Sequence, residues 1–115
     1  MLSKRHLDVS TADPQVVAAV DDFTDRVLRS SLGAEEILVA TEANPDEPSL
    51  QPATAIFWLY AQTPQAQANA EAALAASPED RLNPREAQLK KALALWHERL
   101  FDASAFAFEE LTAQW

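Results

Sequence analysis

The sequence predicts an all-α fold, a stack of about three antiparallel helical hairpins, and three observations support this prediction. The 115 residues include 48% hydrophobic residues, abundant alanine and a single glycine, which is a composition typical of helices. A capping residue stands directly before a proline at Asp13, Thr63 and Asn83, which is a common start of a helix. Apolar residues then recur at three- and four-residue spacing, as on one face of a helix.

Six helices follow from these signals, over residues 14–31, 34–43, 50–62, 64–76, 84–99 and 102–114. They pair into hairpins over 14–45, 48–78 and 83–115. A chain of 115 residues is long enough for one small hydrophobic core and too short for two independent ones. We therefore expect a single helical domain over 13–115, preceded by an irregular lead-in over 1–12.

In the first hairpin, Asp13 and Pro14 start a helix that we expect Gly33 to close, because glycine turns left-handed at low cost. The apolar stripe of this helix is Val16, Val20, Phe23 and Val27. Two acid-to-base pairs at i,i+4 spacing are expected on its exposed face, Asp22 with Arg26 and Asp25 with Arg29.

The second hairpin begins with residues 50–62, which are apolar on every side of the helix and therefore predict a buried helix. Its second helix has an inward face made almost entirely of small side chains. That face consists of Ala66, Ala70, Ala73 and Leu74. Alanines at a helix interface let two backbones approach closely, so we expect tight packing here.

The third hairpin starts with a capping box, in which Asn83 is followed three residues later by Glu86. Leu89, Leu93, Trp96 and Leu100 form the stripe of its first helix, and Ser104, Phe108, Leu111 and Trp115 form that of its second. Phe106 points roughly the opposite way from the second stripe. This last helix therefore needs cover on two sides, of which one is not supplied by the hairpin itself.

Composition excludes several classes of function. Without cysteine there can be no disulfide, thiol nucleophile or thiolate metal site, which is compatible with a cytoplasmic protein. A net charge of −9 opposes binding to nucleic acid, since the short basic runs 4–6 and 90–91 cannot outweigh it. No apolar run approaches the roughly 20 residues that a membrane span requires, so we expect a soluble, cytoplasmic protein. We expect no cofactor and no bound metal.

Few residues suggest a catalytic or metal-binding site. His97 beside Glu98, together with His6, could form a metal or acid–base site, but their spacing fits no known ligand pattern, and we interpret them as a helix residue and a disordered tail residue. Asp21, Asp22 and Asp25 could bind a cation, yet exposed helix charge is the favoured interpretation. Ser30, Ser31, Ser77 and Ser104 have no histidine nearby that would make a hydrolase triad. No catalytic residue is assigned.

The chain resembles the amino-terminal part of the tetratricopeptide repeat protein 38-like family. Repeats of about 34 residues are the tetratricopeptide signature, and small residues precede Pro45 and Pro78 at the matching places, Gly33 and Ala40 in one repeat and Ala66 and Ala73 in the next. The resemblance lies in residues 8–23, 38–61 and 82–115, with Arg85-Glu86 and Trp96 at family positions. Arg99-Leu100 stands where the family usually has Gly-Asp. Family members are generally longer, so the end at Trp115 resembles a truncation at a repeat boundary.

The resemblance implies a tetratricopeptide-like stack and a non-catalytic interaction or scaffolding module. The partner would be another protein, further repeats of the same chain or a second copy. Candidate interaction residues are Phe106, Trp115, Trp58 and His97. Core packing is the favoured interpretation for Trp58 and Trp96, whereas Phe106 and Trp115 lack a covering helix. The alternative is a small-molecule-binding or hydrolytic domain that uses an aromatic-lined groove, in which His97 meets an acidic residue.

Overall fold

The computed structural model describes residues 1–115 and confirms the all-α prediction. Six α-helices are present and there is no β-strand, apart from one isolated bridge between Leu2 and Asp8. The helices are α1 (Pro14–Leu28), α2 (Glu36–Ala43), α3 (Gln51–Ala61), α4 (Pro64–Ala75), α5 (Pro84–His97) and α6 (Phe101–Gln114). Short 3-10 turns, Pro48–Leu50 and Glu79–Arg81, precede α3 and α5. None of these helices has the length and apolarity needed to cross a bilayer.

Three helix starts are built as the sequence predicts. The side chains of Asp13, Thr63 and Asn83 each accept a hydrogen bond from a backbone N–H of the first turn of their helix. At α5 the capping box is complete, since Asn83 Oδ1 accepts from the Glu86 N–H at 2.9 Å and Glu86 Oε1 accepts from the Asn83 N–H at 3.1 Å. In contrast, the N-cap residue of α6, Leu100, provides no side-chain cap.

The end of α1 differs from the prediction, because Ser30 and not Gly33 takes the left-handed position after the helix. Ser30 has φ 51°, and the N–H groups of Ser30 and Ser31 bond to Val27 O and Arg26 O, which is a Schellman motif. Gly33, at φ 97°, serves a different purpose. A Cβ there would lie 2.3 Å from Arg26 Nη1, the atom that donates to Leu32 O at 2.6 Å.

Consecutive helices pack in pairs, α1 on α2, α3 on α4 and α5 on α6, and α5 also contacts both α3 and α4. The core consists of two clusters that meet at α3. One cluster joins α1, α2 and α3, and the other joins α3, α4 and α5; their members are Val16, Phe23, Ile37, Leu50 and Ala53 in the first and Ala55, Leu59, Ala70, Ala73, Leu74 and Leu93 in the second. Half-buried Ile56 packs against both clusters.

The alanine face of α4 is buried as predicted, with Ala66, Ala70, Ala73 and Leu74 all facing inward. The prediction for α3 was only partly right. Its first half is buried on all sides, but Tyr60 is 62% exposed, because no helix covers the last turn on that side. Leu100 is also not a core residue. It lies beyond the end of α5 and is 50% exposed.

The N-terminal segment, residues 1–12, contains no helix but makes many contacts that the sequence did not reveal. Val9 is buried, and the Ser10 N–H donates to Glu86 Oε2 at 3.2 Å. Asp8 O accepts from Asn83 Nδ2 and Arg85 Nη2, so the segment is attached to the start of α5. Near its own start, the segment is attached to α1 through Lys4 and Arg5, which donate to Asp25.

Candidate functional site

The outer side of α6 is a helix surface that exposes a large aromatic side chain. Ser104 and Ala107 are the buried residues of α6 and face α5. Ser104 Oγ donates to Ala92 O at 2.8 Å, and Gln88 Nε2 donates to Ala107 O at 3.0 Å. The opposite side carries Phe106, which is 64% exposed. The structure therefore attaches α6 to the rest of the chain through one side only.

Acidic side chains surround Phe106 on that outer side. Asp102, Glu109 and Glu110 stand at i−4, i+3 and i+4 from it, which makes them its nearest neighbours along the helix surface, and all three are exposed. None of the three carboxylates forms an ion pair. We call the surface formed by Asp102, Phe106, Glu109 and Glu110 the α6 face. It combines an apolar centre with an uncompensated negative rim.

The other three candidate residues do not join this surface. Trp115 ends the α6 stripe opposite Phe106 and is 44% exposed. Trp58 is half-buried, contacts Phe57 edge-on at 5.0 Å between ring centroids, and lines a shallow depression along α4. His97 is half-buried near the end of α5. The main cavities bring no two of the four predicted residues together.

His97 does not form part of an acid–base pair in this structure. Its Nδ1 atom is buried without a hydrogen-bond partner, and no carboxylate bonds to the ring. His6 is exposed on the N-terminal segment, with a left-handed backbone at φ 59°. No three His, Asp or Glu side chains converge in a group that could hold a metal ion. The arrangement required by the hydrolytic alternative is therefore not formed around His97.

The three aspartates of α1 all accept hydrogen bonds within the chain, and Asp21 Oδ2 accepts one from the Lys4 backbone N–H at 3.0 Å. Asp22 pairs with Arg26 at 2.9 Å as predicted, whereas the predicted pair of Asp25 with Arg29 does not form. Asp25 instead accepts hydrogen bonds from Lys4 Nζ and, at 2.6 Å, from Arg5 Nη2 of the N-terminal segment. These bonds, that of Lys4 first and that of Arg5 second, lower the pKa of Asp25 from 3.8 to about 2.

Sequence reasoning suggested an aromatic-lined groove but did not locate it, and the structure has two aromatic depressions, at the ends of α3 and α5. The first is a groove of about 530 Å³ between α1 and α3, lined by Phe57 and Tyr60. The second, which we call the corner cavity, has a volume of about 310 Å³. It is lined by Leu59, Gln62, Gln67, Trp96, Arg99 and Phe101. Tyr60 and Trp96 touch edge-on at 5.3 Å, so the two depressions adjoin.

No periodic signal in the sequence marks the corner cavity. Gln62 and Arg99 each follow the end of a helix, and the two helices are brought side by side only by tertiary packing. Comparison of the chain with protein-family models, with curated proteins and with solved structures gives no match. The candidate sites therefore have to be interpreted from their own geometry.

Proposed function

We propose that the chain is a non-catalytic protein-interaction module, built as a tetratricopeptide-like stack and related to the tetratricopeptide repeat protein 38-like family. The pairing of consecutive helices supports this proposal, as does the position of α5 against both helices of the preceding pair. Repeat stacks bury their core between neighbouring hairpins and leave a terminal face that needs cover. The absence of cysteine is compatible with work in the cytoplasm.

The observation that carries the proposal is the α6 face, where Phe106 is 64% exposed among three carboxylates. An exposed large aromatic with an acidic rim complements the apolar side of an amphipathic helix that carries lysine or arginine beside its apolar stripe. The net charge of −9 would speed the approach of such a cationic partner. The occupant that we propose is thus a basic amphipathic helix of another protein.

Titration calorimetry with a lysine–leucine amphipathic helical peptide tests this. We expect binding to the wild-type chain that weakens with added salt, and a loss of about 10-fold or more in Phe106→Glu, since central aromatic residues dominate interface energies. Phe106→Glu adds negative charge, so a loss of affinity would isolate the apolar contact. Val39→Glu is the matched control, because Val39 is 61% exposed on α2.

Light scattering distinguishes this partner from a second copy of the chain. We expect a monomer in the absence of peptide. A concentration-dependent dimer that Phe106→Glu abolishes would show that a second copy occupies the α6 face, and would contradict the choice of a basic partner. Unchanged peptide affinity in Phe106→Glu would remove the α6 face from the proposal altogether.

A further inference from the structure

The corner cavity has apolar walls held in place by the core. Leu59, only 2% exposed, forms part of it and belongs to the second core cluster. Half-buried Trp96 packs against that cluster and is fixed by its edge contact with Tyr60. Phe101, the first residue of α6, is 60% exposed and provides a second aromatic side chain. These side chains offer an apolar surface to one end of a small ligand.

Three polar side chains line the same cavity, those of Gln62, Gln67 and Arg99, and none of them makes a hydrogen bond or ion pair within the chain. Arg99 is one of three among the nine lysines and arginines whose side chain has no partner within the chain. Lys4, Arg5 and Arg26 pair with carboxylates, and Arg81, Arg85 and Lys90 donate to backbone carbonyls.

The remaining cations without a partner are Arg29, Lys91 and Arg99, and only Arg99 lines one of the main cavities. In a chain with 18 acidic residues, a guanidinium left unpaired in an aromatic cavity is available to a carboxylate from outside. The nearby carboxylates of Glu98 and Asp102 form no ion pair with it. Arg99 and Phe101 also line a second, shallow depression together with Asp102.

The backbone conformation of Gln62 and Arg99 gives a second, independent reason to regard the corner cavity as a binding site. Gln62 at φ 55° and Arg99 at φ 63° both occupy the left-handed region, which is unfavourable for any residue with a Cβ. Arg99 holds the left-handed position of a Schellman motif, since its N–H bonds to Trp96 O and the next N–H, that of Leu100, bonds to Leu95 O. Glycine would serve both turns better. The fold therefore does not need these two side chains, although both line the cavity.

We propose that the corner cavity binds a small organic carboxylate with an aromatic or branched apolar body. Arg99 would hold the carboxylate, the amide groups of Gln62 and Gln67 would donate to it, and the body would lie against Leu59, Trp96 and Phe101. A volume of about 310 Å³ is at the lower end of small-molecule sites, which limits the ligand to roughly one ring. This inference is independent of the α6 face and its partner.

An NMR titration with three probes of one shape tests the proposal: 3-phenylpropionate, 3-phenylpropanol and 3-phenylpropylamine. We expect the carboxylate to bind about 10-fold or more tightly than the alcohol, because a charge-assisted bond to Arg99 is lost in the alcohol. The amine should bind more weakly still. Shifts should centre on the amides of Gln62 and Arg99 and on the indole N–H of Trp96.

Arg99→Gly separates the role of the side chain from that of the turn. It removes the unfavourable left-handed conformation, so we expect a higher Tm together with a loss of carboxylate affinity of about 10-fold or more. Ser30→Gly is the matched control, since it makes the same change at the equivalent turn of α1 and should raise the Tm without affecting binding. Lys91→Gln removes an unpaired cation outside the cavity and should also leave binding unchanged.

Three results would overturn the proposal. The first is no shift with 3-phenylpropionate up to about 10 mM, which would leave less affinity than any specific site needs. The second is equal binding of the carboxylate and the alcohol. The third is an Arg99→Gly protein that binds the carboxylate as tightly as the wild type does.

Discussion

Helices α4 and α6 are each the second helix of a packed pair, yet they are held very differently. α4 lies against both α3 and α5, with Ala66, Ala70 and Ala73 buried at that surface. α6 lies mainly against α5, with only Ser104 and Ala107 buried. The start of α4 is capped by Thr63, whereas the start of α6 has no side-chain cap.

The difference shows what a following helix contributes in a stack of this kind. α5 packs against α4, whereas no helix of the structure packs against the outer side of α6, where Phe106 is exposed. α4 has no exposed aromatic side chain. The sequences already differ accordingly, because the exposed side of α4 carries alanines, glutamines and Glu71.

The largest effect is expected from enlarging a buried alanine. Ala70→Leu forces a larger side chain between α4 and its two neighbours and should lower the free energy of unfolding by about 2 kcal/mol or more. Ala107→Leu should cost about half as much, because α6 can move outward where nothing covers it. Urea denaturation measures both, with exposed Ala72→Leu as control. Equal losses at Ala70 and Ala107 would contradict the difference in confinement.

A smaller effect is expected at the two helix starts. Thr63→Ala removes the hydrogen bond from the Ala66 N–H to Thr63 Oγ1, which is 3.1 Å long, and should lower the free energy of unfolding by about 1 kcal/mol. Leu100→Ala at the start of α6 removes no cap and should cost clearly less. Thermal denaturation followed by circular dichroism measures the pair. A larger loss at Leu100 would show that α6 depends on its first residues more than α4 does.

The smallest effect concerns the N-terminal segment. This segment is attached to α1 and α5, whereas no comparable segment lies on the outer side of α6. Because the pKa of Asp25 is lowered from 3.8 to about 2, its ion pairs stabilise the fold above pH 3.8 and lose that contribution as the pH falls toward 2. We expect Asp25→Asn to reduce the decrease of the urea midpoint over this interval. The effect is small, because Asp25 pairs with exposed cations at the surface.

Asp46→Asn is the control for this measurement, because the Asp46 side chain makes no hydrogen bond and only its backbone carbonyl accepts from Arg81. A pH dependence that is the same in Asp25→Asn as in the wild type would show that the attachment to Lys4 and Arg5 does not contribute to stability.

Much of the fold could be predicted because its signals are local. Asp13, Thr63 and Asn83 start helices through bonds within one turn, and the alanine face of α4 follows from helical spacing. The prediction that Gly33 ends α1 was wrong. Glycine is preferred, but not required, at a left-handed turn, and Ser30 takes that position. Asp25 was assigned to Arg29 because only neighbours along the helix could be considered.

The candidate sites were less predictable, because they depend in part on contacts between residues that are distant in the sequence. Exposure of Phe106 followed from its position opposite the stripe of its own helix, which is a local property. The corner cavity was missed, since Gln62 and Arg99 become neighbours only when α3 and α5 pack together. No spacing rule connects two residues that lie at the ends of different helices.

The sequence by itself determined the helical class, the number of helices and the residues that start three of them, because capping and amphipathic spacing depend on contacts within a few residues. Only the tertiary structure decided that residues 1–12 are attached to α1 and α5, that the last turn of α3 is exposed, and that an unpaired arginine stands beside two aromatic rings. Those features depend on which surfaces meet, and many distant residues determine that together.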